Sequence, residues 1–347
     1  MFKKTFFQLT AGLCLLLTSI SAAQAEKILT LMTHDSFNIS KELVATFEQT
    51  NDVKLRFLKA GDAGAALVQA ILAKESPLAD VFFGVDNTFL SRAIAAGIFI
   101  PYRSPLLTAI PSQLQLDKEN RLLPVSYGDV CLNYDTEWFK KKNMNPPTDL
   151  GDLLKPEFKG LTVVENPATS SPGMAFLLTT IGRFGENGYL DFWKKLRAND
   201  VLVANGWKDA YYGHFTSASK GDRPIVVSYA SSPAAVVHYA KTPLNEAPTA
   251  AVVGDRTAFR QIEFIGILKG SKEPELAKKF VDFMLSVPVQ EDIPLQMFVF
   301  PANSEARRPE VFIKHAVTAE KPAEVTPADI EANRDKWLEA WTSTVLR

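Results

Sequence analysis

The chain has 347 residues, 46% apolar and 22% charged, an ordinary globular balance with room for one large domain or two medium ones. Its 38 basic and 39 acidic residues nearly cancel, which argues against a nucleic-acid or polyanion binder. No internal repeats or low-complexity tracts interrupt it.

Residues 1–25 read as a secretory leader: Lys3 and Lys4, an apolar stretch over 13–20, then Ala23-Gln24-Ala25 as a small-x-small cleavage site. The apolar stretch is too short for a lasting membrane span and nothing later reaches its length, so the reading is a soluble exported protein beginning near Glu26. Lys3 and Lys4 are the only charges in the leader, so the remaining chain stands at about −3. Cys14 lies inside the leader, preceded by Leu13 rather than the small residue of a lipoprotein box. The single remaining thiol, Cys131, forms no internal disulfide and is expected to be buried.

Apolar periodicity then predicts strand 28–32, a helix over 40–49, an alternating strand 53–57, a helix over 65–74, a short apolar strand 79–84 and a helix ending at Gly97. Such alternation is a parallel α/β lobe, whose first and third strands run into Asp35 and Asp86. After a proline-interrupted connection, 122–134 reads as a strand long enough to cross between lobes, with Gly128 as its bend. Strands at 161–164, 201–204 and 225–227 build a second α/β lobe. The strand 260–268 crosses back, the helix 274–285 rejoins the first lobe, and a last amphipathic helix from Pro327 carries Trp337 and Trp341 four apart. The resulting division is 26–125 with 260–310, then 126–259, then a helical segment 311–347.

Two runs organise the second lobe, Asn166-Pro167-Ala168-Thr169-Ser170-Ser171-Pro172-Gly173 and Ser228-Tyr229-Ala230-Ser231-Ser232-Pro233. Each follows a strand and opens a helix, with serine at the cap position and proline at the first helical position. Ligands of open α/β sheets gather at strand carboxyl ends, and helix N-termini favour anions. With Gly206-Trp207 between them, the two runs make one wall of a ligand cleft. The other strand ends supply His34, Asp35, Asp86, Asn87, Tyr127, Trp207, Tyr229 and Phe298. Aromatic faces beside carboxylates suit a flat organic cation through stacking, cation–π attraction and charge pairing.

Other chemistries find less in the sequence. The four histidines show no zinc spacing, and no nucleotide or hydrolase fingerprint is present, so neither metal nor cofactor is expected. Tyr211, Tyr212 and His214 offer a ferric alternative, weakened because consecutive helical tyrosines diverge. Cys131 with Glu263 as base offers an enzymatic one.

Thr33-His34-Asp35-Ser36-Phe37, Ala79 through Asn87, Asn166 through Gly173, Gly206-Trp207 with Ala210-Tyr211, and Ser228 through Pro233 together resemble the periplasmic thiamine-binding proteins of ABC transporters. These sit in a two-lobe class that also holds ferric-iron-binding proteins and thiaminase I. The match runs over 28–345. It implies a type II-like periplasmic binding protein, each lobe a mainly parallel sheet flanked by helices. Such a protein is a monomer that closes on thiamine or a thiamine phosphate and delivers it to an inner-membrane permease. Carried over, Asp35 and Asp86 face the aminopyrimidine or the cationic ring, Trp207 and Tyr229 stack on the ligand, and Ser170, Ser171 and Ser232 take its hydroxyl or phosphate end. The chain departs at three aromatic positions, with His34 and Ala235 for tyrosine and Phe298 for tryptophan. Those departures leave room for another small cationic metabolite, and the wider class keeps ferric iron or a thiaminase-like enzyme using Cys131 as alternatives.

Overall fold

The computed structural model describes residues 26–347; the leader expected at 1–25 lies outside the described residues. The strands in chain order are β1 (Ile28–Thr33), β2 (Lys54–Lys59), β3 (Val81–Asp86), β4 (Phe99–Ile100), β5 (Leu123–Asp135), β6 (Thr162–Glu165), β7 (Leu202–Ala204), β8 (Ile225–Tyr229), β9 (Thr249–Val252), β10 (Phe259–Leu268) and β11 (Phe300–Pro301). They hydrogen-bond in the order β2-β1-β3-β10-β5-β8-β6-β7, with β4 on β10 and with β9 and β11 on β5.

Two parallel wings make the two lobes. β1 pairs parallel with β2 and β3, and β6 pairs parallel with β7 and β8. Between the wings, β10 and β5 run antiparallel to each other and to their outer neighbours, which makes them the two crossing segments. Burial follows position: β3 is buried at every residue, as a strand covered on both faces must be. β2, at the sheet edge, carries Lys54, Arg56 and Lys59, charges that discourage pairing with another chain.

Gly128 was expected to bend the crossing strand. It instead pairs in register with Gln261, and a Cβ there would come within 3.0 Å of Tyr229 Cδ1; it is glycine because an aromatic ring packs on it. The irregularities lie on the strands beside β10: the register against β5 skips Val125 between Ser126 and Pro124, and that against β3 skips Gly84 between Val85 and Phe83, a bulge on each neighbour.

The helix Ser171–Phe184 is buried along most of its length, from Ser171 to Ile181, as a central helix apolar on all sides must be. The helix Pro274–Leu285 packs back on the first lobe, with Phe280 edge-on to Phe47 at 5.1 Å. The last helix, Pro327–Val345, is capped by Thr326, whose hydroxyl accepts from the Asp329 amide at 3.1 Å. Its inner face spans both lobes. Trp341 stands edge-on to Trp193 at 5.5 Å, Trp337 donates to Glu186 at 3.2 Å, and the Arg334 guanidinium lies 4.6 Å from the Phe89 ring. Among the described residues no helix is long and apolar enough to cross a membrane.

Trp341 is fully buried, so Trp341→Ala is expected to lower unfolding free energy by about 3–5 kcal/mol in urea titration. A loss below about 1 kcal/mol would mean the last helix contributes little to the folded lobes.

Candidate functional site

A cleft of about 290 Å³ opens between the lobes, lined by residues that follow β1, β2, β7 and β8, by Ser171 and Pro172 after β6, and by Gln261 and Glu263 of β10. This is the strand-end location expected for an α/β ligand site. Of the residues singled out from sequence, His34, Asp35, Ser171, Trp207, Tyr229, Ser232 and Phe298 line it.

His34 follows β1 and lies against Gly84, where a Cβ would sit 2.5 Å from its ring and where φ is +110°; both facts require glycine. The imidazole Nε2 is 3.2 Å from Glu263 Oε1, while Ser126 Oγ donates to the other Glu263 oxygen at 2.7 Å. Burial disfavours the imidazolium, but the Glu263 carboxylate outweighs it and raises the His34 pKa. Burial acts against Glu263 too, and His34 and Ser126 hold it below the usual range. The two form a charged pair.

Asp62 caps the helix Ala63–Leu72 by accepting from the Ala63 amide at 2.7 Å, and its other oxygen accepts from the Trp207 amide at 2.9 Å across the cleft. Burial pushes its pKa up despite those bonds. Trp207 is further fixed by its Nε1–H donating to Ser228 Oγ at 2.9 Å and by stacking on Tyr211 at 5.0 Å. Tyr229 lies over Gly128, its hydroxyl 3.2 Å from Gln261 Oε1. Phe298 has φ +55°, uncommon for an aromatic residue, and its carbonyl accepts from the Ser231 hydroxyl.

Four expected residues, Asp86, Asn87, Ser170 and Tyr127, do not line the cleft. Asp86 is fully buried beneath it and accepts from Ser171 Oγ of the other lobe and from the Thr88 amide at 2.7 Å; burial raises its pKa to about 6. Asn87 extends the ladder onto β10, bonding Arg260 O at 3.0 Å and the Ile262 amide at 2.9 Å. Ser170 is buried, with its hydroxyl turned to the Gly173 amide at the helix start. The hydroxyls expected to receive an anion are therefore largely engaged, since Ser232 Oγ also contacts Ser228 Oγ at 2.8 Å and accepts from the Tyr229 amide at 3.2 Å. Tyr127 lies on the opposite face of the crossing strands, under Arg260 at 5.6 Å.

Sequence reasoning missed Asp62, Lys59, Lys208, Gln261 and Tyr239, all in the lining, and read Tyr211 and Tyr212, also in the lining, as candidate ferric ligands. Asp62 follows β2 at a helix start, so the strand-end rule applied elsewhere would have found it. Tyr211 and Tyr212 were expected to diverge on an α-helix, but Ala210–His214 is a π turn closed by the Phe215 amide on Ala210 O at 3.1 Å, and both rings border the cleft. Tyr211 is stacked under Trp207 with its hydroxyl buried, and no group of three or more His, Cys, Asp or Glu placed to hold a metal occurs among the described residues. Cys131 is fully buried among Ala230, Ala258 and Ala319, outside the cleft, and burial pushes its thiol far up. Glu263, its supposed base, is engaged with His34 and Ser126 instead.

A sequence profile described as Bacterial extracellular solute-binding protein matches residues 76–323. The chain is 30% identical over 345 residues to a thiamine-binding periplasmic protein of Brucella suis biovar 1, covering 98% of each chain. It is 31% identical over 340 residues to one of Salmonella typhimurium, covering 96% of this chain and 98% of that one. A solved structure of a periplasmic thiamin binding protein is similar with a TM-score of 0.81 and 28% identity, over 93% of this chain and 97% of the other.

The His34–Glu263 pair has a defined pH window. The contribution of His34 is fully present below its unfolded pKa near 6.5 and is lost as pH rises through the raised folded value. That of Glu263 is present above its unfolded value near 4.3 and is lost as pH falls through the depressed one. In a proton NMR titration His34 is expected to titrate above 6.5, and Glu263→Gln to move it down; a midpoint unmoved by that change would mean the two groups do not interact.

Proposed function

The chain belongs to the bacterial extracellular solute-binding protein family, and from that premise we propose that it is the periplasmic binding component of an ABC importer, capturing thiamine or a thiamine phosphate by lobe closure and delivering it to an inner-membrane permease. The observation that carries the ligand class is the arrangement of the cleft, in which Trp207 and Tyr229 face a floor containing Asp35, Asp62 and Glu263. An aromatic face near a cation contributes on the order of 0.5–2 kcal/mol, and more as water is excluded. A flat cationic heterocycle fits between rings and carboxylates, and relatives of this length and similarity carry the thiamine-binding name.

Capture follows from contacts made by both lobes. A ligand touching Asp35 and Asp62 on one side and Trp207 and Tyr229 on the other gains affinity only when the lobes are together, so binding favours the closed state by that difference. The lobes in this reading are 26–125 with 260–310, and 126–259. Lys59 and Lys208 at the exposed mouth both donate to the Asp35 carbonyl, at 3.3 and 3.1 Å, and bring two positive charges there. They suit an anionic tail better than the serine hydroxyls, which are engaged.

The protein acts as a monomeric carrier, and a thiaminase-like role for Cys131 finds no support in its position. Cys131→Ser is expected to leave ligand affinity within about twofold; loss of a thiamine-cleaving turnover in that variant would establish the enzyme instead.

The direct test is native mass spectrometry of protein purified from the periplasm, followed by calorimetric titration with thiamine, thiamine monophosphate and thiamine pyrophosphate. Binding of at least one is expected, and Trp207→Ala should weaken it by more than about tenfold with little change in the melting temperature of the free protein. Failure of all three to bind would overturn the thiamine assignment. A large loss of stability with unchanged affinity would make Trp207 a packing residue.

A further inference from the structure

Among the described residues two aromatic side chains stand exposed, Tyr212 at 55% and Tyr239 at 62%, and both line the cleft. A tyrosine ring left in water needs no special reason when it is isolated. Two at one mouth, each continuous with other aromatic rings, do need one. Tyr212 stands edge-on to Trp207 at 5.6 Å and to Tyr211 at 5.2 Å. Tyr239 packs on Phe298 at 5.3 Å, with its hydroxyl 3.3 Å from the Leu295 carbonyl. The two tyrosines border the same cleft from different elements.

The backbone holds these rings in place by local devices. The π turn brings Tyr212 to the mouth beside the inner Tyr211. Tyr239 follows Ala235 by one helical turn at the C-cap of the helix Ser232–His238, and both residues line the cleft. Phe298 is presented from a left-handed backbone position, a local cost that persists where the surroundings enforce it. The inner part of the cleft already has aromatic faces in Trp207 and Tyr229. The outer rings thus form a second aromatic surface toward the mouth.

We infer that Tyr212, Tyr239 and Phe298 form an outer aromatic subsite that takes the second ring of a two-ring organic cation, and that they set the preference of this site for such a ligand over either ring alone. The inference rests on the thiamine reading and assigns residues for its second ring. Single-ring ligands fill the inner surface and leave the outer rings in water, whereas a two-ring ligand covers both.

The test compares wild type, Tyr212→Ala/Tyr239→Ala and Tyr212→Phe/Tyr239→Phe by calorimetric titration with three probes: thiamine, its hydroxymethyl-aminopyrimidine half and an N-methylated hydroxyethylthiazolium. The double alanine variant is expected to lose at least about tenfold in thiamine affinity. Its affinity for the half that wild type binds more tightly should stay within about twofold. The double phenylalanine variant keeps both rings and should retain thiamine affinity within about twofold. Unchanged thiamine binding in the alanine variant, or equal loss for thiamine and for that half, would overturn the subsite while leaving the thiamine reading intact. Failure of wild type to bind any of the three would overturn both.

Discussion

Negative charge buried at the junction of the lobes is the constraint on which the closed cleft depends. Asp86 is fully buried, Glu263 nearly so, and Asp62 partly. A carboxylate removed from water without donors either costs several kcal/mol or takes up a proton. The donors that Asp62 and Asp86 find include the Trp207 amide and the Ser171 hydroxyl, both from the opposite lobe. Opening the lobes strips the acids of those donors, and removing one partner of a buried charge costs about 3–5 kcal/mol where water cannot replace it. Water does enter an opened cleft, so the actual cost is smaller and the lobes can separate. Glu165, at the end of β6, shows the other outcome: neither oxygen has a donor, and burial, with Asp62 nearby, holds its pKa well above the usual range.

The crossing strands join the lobes and form the floor of the site. On β10 the alternation of side chains sends Gln261 and Glu263 into the cleft and Arg260 and Ile262 to the back. The back face is stiffened by Arg260, bidentate on Asp129 at 2.8 Å for both bonds. The register shifts on β5 and β3 both fall beside Glu263, so the irregular part of the central sheet borders the residue that pairs with His34.

Much of the architecture was legible because it rests on short-range rules. Long apolar runs gave the crossing strands, Gly97 ended its helix with φ +65°, and the helix 274–285 was read to its residue limits. Trp207 and Tyr229 were found because both follow strands. Asp86 and Asn87 follow the same rule yet face inward, because the direction of a side chain at a strand end is decided by what packs there, here Ser171 and β10. The two serine-proline runs do open helices, one residue earlier than read, with Ser171 and Ser232 already helical and Pro172 and Pro233 second. Their hydroxyls were misjudged as free: Ser171 reaches Asp86 across the fold, whereas Ser232 is engaged by its own neighbours Ser228 and Tyr229. Tyr212 was named only as a candidate iron ligand that helical geometry would turn away from Tyr211; the π winding, packed against β6 and β8, brings both rings to the cleft, which period-3.6 reasoning cannot produce.

His34 and Glu263 cancel each other where they meet, so the net negative charge offered to a ligand comes from Asp35 and Asp62, with Asp86 beneath. Lys59 and Lys208 stand at the mouth, exposed. Asp35 stands beside the two lysines that reach its carbonyl, so the inner acid is Asp62 and the cleft grades from acidic inside to basic at its rim; fields between low-dielectric walls are poorly screened, so both ends act. A neutral molecule gains little from this polarity and an anion is repelled by the floor. A molecule with a cationic ring at one end and an oxygen-rich or anionic tail at the other is oriented by it before any ring is stacked, ring inward and tail toward the lysines. Aromatic stacking then supplies affinity along the path that the charges have already set.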